Sequence, residues 1–344
     1  MSVRHHLGVC SALCLVAFAS CTDSSEVADI PFRETVSLQA VDSVCLDAYD
    51  ILDPQDMQVT GDSVWIVDGS AESLVFLLSV EGACLAKGIH IGNGPGEVLE
   101  ITSLHKSGGE MRMYDARKGQ ISRVEVSDSS LRLVPLASQL RLFDDAVLLP
   151  DNNRMVLPVA QRCSYVLQDL AGNRLDSLAY YPPKPDKASG FTHSLACTGR
   201  LAVTADGRRF ARSLVYDGGI DFFALEKNAS LSHLVRIESF GMDYEVLDMG
   251  QPVPGLSRTS RVGYRSLTAS ADTYYALFSA VLASEWREGS AEVQSFNLDG
   301  IPLCRYVLDR KLTHIAVSSD NSMLLGTGMA GEDSMYLFVY SLGG

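Results

Sequence analysis

The segment Gly92-Asn93-Gly94-Pro95-Gly96-Glu97 is the densest candidate for chemistry in this 344-residue chain. Closely spaced glycines can turn several backbone N–H groups toward a phosphate. The spacing argues against that use. A dinucleotide fingerprint needs a third glycine where Glu97 stands, followed by a helix, and a P-loop needs Gly-Lys-Ser/Thr. Alternate glycines permit positive φ and Pro95 fixes one torsion. The segment is therefore expected to be a compact structural link between strands, with Glu97 satisfying loose backbone N–H groups inside it.

Metal and nucleophile chemistry find no foothold in spacing. His90, His105, His193, His233 and His314 are scattered, with no HxH or HExxH pair, and no G-x-S-x-G elbow exists. Each histidine is expected on the surface or in a turn. No catalytic residue, metal ligand or cofactor is assigned. Asp68 and Asp115 occupy equivalent places at strand ends, where they either line a channel mouth or, as expected of Asp there, cap the following turn. Acids outnumber bases by 42 to 28, a formal net charge of −14, so nucleic acid and anionic lipid surfaces are poor electrostatic partners.

The first residues carry an address. Arg4, His5 and His6 precede an uncharged apolar run from Leu7 to Ala19, too short to span a bilayer comfortably. Phe18-Ala19-Ser20-Cys21 then resembles the lipobox of bacterial lipoproteins, which implies cleavage before Cys21 and a lipid on its thiol. An ordinary secretory signal beside a bystander cysteine is the other reading. The expected division is 1–20 leader, 21–33 flexible tether and 34–344 folded body. Thr22 after Cys21 lacks the Asp-type signal for inner-membrane retention, so the lipoprotein resemblance implies the outer membrane. Of the eight cysteines, Cys45, Cys84, Cys163, Cys197 and Cys304 remain in the body, either as buried small hydrophobes or with one or two disulfides such as Cys163 to Cys197.

The elements that must position all this are strands. Helical periodicity is nearly absent after the leader, while short runs of Val, Ile, Leu, Tyr and Phe recur between Gly, Asp, Asn and Ser turns. Repeating units run from Met57 to Ile89, Ile101 to Leu136, Phe143 to Tyr181, Leu195 to Glu238, Tyr264 to Asp309 and Leu312 to Leu342. Units of roughly 40 to 50 residues with about four strands each are what propeller blades require. The expected fold is thus all-β: a six-bladed β-propeller of four-stranded antiparallel blades. The alternating segment Glu34 to Val41 is expected to close the ring as the outermost strand of the last blade.

Two connections exceed what blade turns need, Tyr180 to Thr192 and Phe240 to Val262. Both precede a new unit and should crowd one rim. They are either solvated excursions or binding loops, with Tyr181, Lys184, His193, Tyr244, Arg258 and Arg261 as the candidate contact residues.

A family resemblance covers nearly the whole body. Trp65-Ile66-Val67-Asp68, Phe76, Glu81-Gly82 and Ile91 to Glu97 resemble the opening blade of TolB-like and NHL-like six-bladed propeller lipoproteins of Gram-negative bacteria. Tyr274 to Ser279 and Val293 to Asp309 are similar to a later blade of that family. Val98 departs from the aromatic usual after the Glu. The resemblance implies fold and lineage but no reaction. Two functions are therefore expected to compete. One is an envelope-anchored binding or scaffolding module for a protein, peptide or glycan, touching membrane only through its lipid. The other is a metal-dependent hydrolase or lyase whose carboxylates converge on the central channel.

Overall fold

The computed structural model describes residues 27–140, 145–158, 165–180, 182–183, 189–331 and 334–343. The leader, Cys21, Cys163, Tyr181 and Lys184 lie outside the described residues. The protein is an all-β, propeller-like assembly of four-stranded antiparallel sheets, each an apolar run folded back on the next through glycine and aspartate turns.

The first sheet contains Pro54–Thr60, Ser63–Asp68, Val75–Ser79 and Cys84–Gly88 from inside to outside. The second contains Ser103–Ser107, Glu110–Asp115, Gln120–Ser127 and Ser130–Ala137. Their outer strands meet in parallel at Gly88 and Leu131, so the two form one eight-stranded sheet. Only glycine fits at position 88, because a Cβ there would press on the backbone oxygen of Leu131. The third sheet contains Val147–Leu148, Arg154–Pro158, Tyr165–Asp169 and Arg174–Leu178. The fourth contains Gly199–Val203, Arg209–Leu214, Gly219–Leu225 and Leu231–Glu238.

The last two sheets show how the ends of the chain are fastened. The fifth contains Tyr264–Ala269, Thr273–Phe278, Ser290–Asn297 and Pro302–Leu312, and the sixth takes only His314–Val317, Met323–Ala330 and Ser334–Ser341 from the C-terminal part. Glu34–Leu38 does not complete the sixth, as its alternation suggests. It runs parallel to Pro302–Leu312 as an extra outer strand of the fifth, with Val36 opposite Tyr306. The missing strand of the sixth is Asp42–Cys45, antiparallel to Ser334–Ser341, with Ser43 opposite Phe338. The eleven-residue strand Pro302–Leu312 presents a long free edge, which accepts the earlier segment before the chain crosses to the next sheet. One N-terminal stretch thereby staples two neighbouring sheets.

Part of the expected tether also docks. Ile30 is buried, Phe32 packs against Phe296 with ring centroids 5.7 Å apart, and the Ala28 N–H donates to the Ser239 carbonyl at 2.7 Å. The residues docked on the sheets therefore include some before Glu34, Ala28 among them.

One sheet cannot cover both its faces, so each shares an apolar core with the next. Trp65, Leu77, Leu104 and Met113 fill the space between the first and second sheets, and Tyr114, Ile121, Leu148 and Met155 that between the second and third. Stacked Phe210 and Phe223 join the third to the fourth, Phe222, Tyr274 and Phe296 the fourth to the fifth, and Tyr275, Leu312 and Phe338 the fifth to the sixth. The cycle returns: Leu46, Ile51, Met57 and Ile66 pack against Leu325, Leu337 and Val339 of the sixth sheet. Each such aliphatic or aromatic side chain contributes about 1.5–3 kcal/mol on burial.

The two long connections carry structure of their own. Gly190–Ala196 forms a short helix whose N-cap, Ser189, accepts the Thr192 N–H at 3.0 Å. The second excursion contains the hairpin Glu245–Asp248 and Pro252–Gly255.

Candidate functional site

The innermost strands start at the same end of the axis, and their starts carry charge. Asp56 lies on the first, Ser103 and His105 on the second, Asp145 just before the third, Arg200 on the fourth, Arg265 on the fifth and His314 on the sixth. Arg200 reaches across to donate to the carbonyls of Gln55 at 2.9 Å and Thr102 at 3.5 Å, with Asp56 at 3.9 Å. Because its own strand stands opposite those partners, this side chain bars the channel.

Asp145 accepts hydrogen bonds from Ser103 at 2.5 Å and from the Nε2 of His105 at 2.9 Å. Burial alone would lower the His105 pKa, but the Asp145 charge and hydrogen bond outweigh it and raise the imidazole above its ordinary value. The same pairing holds Asp145 below the ordinary carboxylate range against its own burial. At Asp56 burial wins over the Arg200 charge, and its pKa rises. His314 is driven down to about 3, first by burial and then by the positive charges of Arg200 and Arg265.

That depression predicts an acid response. A histidine kept neutral in the fold, with an unfolded pKa near 6.5, contributes stability that is complete above about pH 6.5 and is lost as pH falls toward the folded value. Between pH 6.5 and 4, wild type is expected to lose on the order of 2–3 kcal/mol that a His314→Gln variant keeps. Urea titrations of both proteins at several pH values check this.

Beyond Arg200 the channel opens toward the opposite face as a cavity of about 320 Å³, lined by groups such as Val59, Val147, Leu201, Leu267, Val317 and Lys106. Its size suits a small ligand and its wall is largely apolar. Among the described residues no three of His, Cys, Asp and Glu come together as a metal site.

The face where the inner strands start also carries the long excursions, and they touch. Thr192 donates to the Pro252 carbonyl at 3.3 Å, and His193 Nδ1 lies 3.3 Å from the Tyr244 hydroxyl. His193 Nε2 sits 3.0 Å from the Pro182 carbonyl, so this residue is buried structure at the base of the loops. Arg261 is likewise engaged: its N–H donates to Asp243 at 3.0 Å and its guanidinium to the Ala280 carbonyl at 2.8 Å. Arg258 is exposed, and so are Val246, Leu247 and Met249, the last at 76%. His105 and His193 are buried, contrary to the expectation of surface or turn histidines, because each is paired with a polar group of another segment.

Two further features on this face hold the chain. The Glu97 carboxylate accepts the Gly94 N–H at 2.7 Å, and a Cβ at Gly92 would overlap that carboxylate. Lys118 donates to the Glu97 carbonyl at 2.6 Å. Asp68 accepts the N–H groups of Leu52, Asp53, Ser70 and Ala71 at 2.7–2.9 Å, and Asp115 those of Leu99 and Lys118 at 2.7 and 2.8 Å. Cys45, Cys84 and Cys304 are free thiols.

Sequence spacing pointed to the loops but missed the axial ring. The available signal was the recurrence of a charged or histidine residue near the first strand of every repeat.

No curated protein matches the chain in sequence. Among solved structures, the β-propeller domain of Myceliophteria thermophila Cps50 (Swd1) is similar at 12% identity and a TM-score of 0.50, covering 89% of this chain and 100% of that one. Chaetomium thermophilum Raptor is matched at 13% identity and a TM-score of 0.48, over 93% of this chain and 29% of its own. The first likeness agrees with the propeller fold. A family model described as TolB-like 6-blade propeller-like matches residues 31–320, and the chain belongs to that family.

Proposed function

We propose that this is a six-bladed propeller held at the cell envelope by a lipid on Cys21, outer membrane rather than inner, acting as a binding or scaffolding module for a protein, peptide or glycan. Six blades are supported by the family description and by the succession of inter-sheet cores that returns to its start. The lipid anchor rests on the Ser20-Cys21 motif.

The observation that carries the binding reading is the hairpin Glu245–Asp248 and Pro252–Gly255. It is braced by the Gly190–Ala196 helix yet holds Val246, Leu247 and Met249 out to solvent. Apolar groups exposed together on a supported hairpin suit a partner surface, since solvent contact gives them no stability. Replacing residues 246–251 by a short Gly-Ser turn is expected to leave the melting temperature within about 2 °C. The same change should abolish recovery of partners from envelope extracts. Equal recovery by wild type and variant would refute the assignment of this loop.

A further inference from the structure

We propose that the loop-bearing mouth of the axial channel is a carboxylate-binding site centred on Arg265. It is independent of the hairpin reading, and either can fail without the other.

Around the axis Asp56 faces Arg200 and Asp145 is bonded to His105, so each carboxylate has a cationic or proton-donating neighbour. Arg265 is left over. It is only 6% exposed, and among the described residues its Nε and Nη2 have no hydrogen-bond partner. An isolated guanidinium in such a place is costly unless something supplies charge and acceptors.

The geometry then selects the class of ligand. The Trp286 ring covers one face of the guanidinium, with Cζ 3.6 Å from the ring centroid. What remains unpartnered, though buried, is the Nε–Nη2 edge, the side of the fork whose two N–H groups run parallel and match the two oxygens of one carboxylate. His314 Nδ1, on the next inner strand, is also without a partner. A neutral imidazole there can donate a further N–H when its tautomer allows. One uncompensated cation matches a singly charged, planar group better than a phosphate dianion, particularly in a protein of net charge −14.

The carboxylate belongs either to a free organic acid or to a peptide terminus or acidic side chain, and one set of measurements separates these. Thermal melting of the mature protein in sodium acetate is compared with sodium chloride at equal ionic strength. Acetate is expected to raise the wild-type midpoint by about 2 °C, with phosphate giving less. Arg265→Gln should remove the response and, because it deletes an unpartnered buried charge, melt no lower than wild type in chloride. Should that variant fail to fold, Trp286→Ala leaves the fork in place but uncovers it, and is expected to weaken acetate binding about tenfold. Titration of wild type with a short peptide and its C-terminally amidated twin identifies the source. Binding of the free-acid form alone points to a chain terminus, and acetate binding with no peptide preference points to a small acid. Equal shifts in acetate and chloride, or an undiminished acetate response in Arg265→Gln, would overturn the proposal.

Discussion

A chain that starts at Leu46 is expected to lose cooperative unfolding and to aggregate, whereas one that starts at Val27 is expected to melt like the longer chain. The shorter chain lacks Glu34–Leu38 and Asp42–Cys45, and so exposes the edges of the fifth and sixth sheets together. An uncovered edge is a template for pairing with another molecule. It also loses side chains that seal the last joints of the ring. Leu38 and Ala40 pack against the core of Leu308, Leu312 and Phe338. Val44 fills the space over Gly82, whose positive φ and missing Cβ leave room for it. Without these strands the first and last sheets keep the apolar contacts around Leu46 and Leu337 and a few hydrogen bonds, such as that of the Met335 N–H to Asp47. The combined loss should exceed about 5 kcal/mol, comparable with the whole stability of an ordinary domain. Size-exclusion chromatography and circular dichroism melts of the two chains give the comparison.

The largest single-residue effect is expected at Asp68. Its carboxylate is 1% exposed and holds backbone N–H groups on both sides, Leu52 and Asp53 entering the first sheet and Ser70 and Ala71 leaving its second strand. Asp68→Ala would leave these partly buried donors without their acceptor. Each buried donor stripped of its partner costs about 1–3 kcal/mol, so a total near 4 kcal/mol is expected after partial relaxation. Asp68→Asn keeps one acceptor oxygen and should lose about half as much. Asp115→Ala, with fewer bonds at the equivalent place, should fall below Asp68→Ala in cost. Urea midpoints of the variants establish the order, and a cost at Asp68→Ala below about 1 kcal/mol would contradict the bracing role.

Much of this architecture was legible because propeller strands are local in sequence. Val64-Trp65-Ile66-Val67 and Leu74 to Leu78 form neighbouring strands through a short turn, so alternation and turn residues identify both. The closure was harder to see. Asp42-Ser43-Val44-Cys45 is short and polar, and it becomes a strand only because Ser334–Ser341 offers an edge nearly 300 residues away in the chain. The folded tether has the same origin: Ile30 and Phe32 are ordinary isolated hydrophobes until Ser239 and Phe296 are beside them.

The site divides likewise. Both long excursions precede a new repeat, which placed them on one rim, but the helix and hairpin within them arise from their contact through Thr192 and Pro252. The ring of Asp56, Asp145, Arg200, Arg265 and His314 has no motif spacing, since its members come from different repeats and meet only when the circle closes. Local reading therefore sent His105 to the surface, whereas the fold buries it against Asp145.

Hydrogen–deuterium exchange of the protein, read peptide by peptide, tests the closed ring most directly. If Asp42–Cys45 is the missing strand of the sixth sheet, its amides facing Ser334–Ser341 should be protected to the same degree as those of Met323–Ala330 and open only with them. Exchange of Val44 and Leu46 within seconds, while Met323–Ala330 stays protected for hours, would show that the N-terminal segment does not fasten the ring.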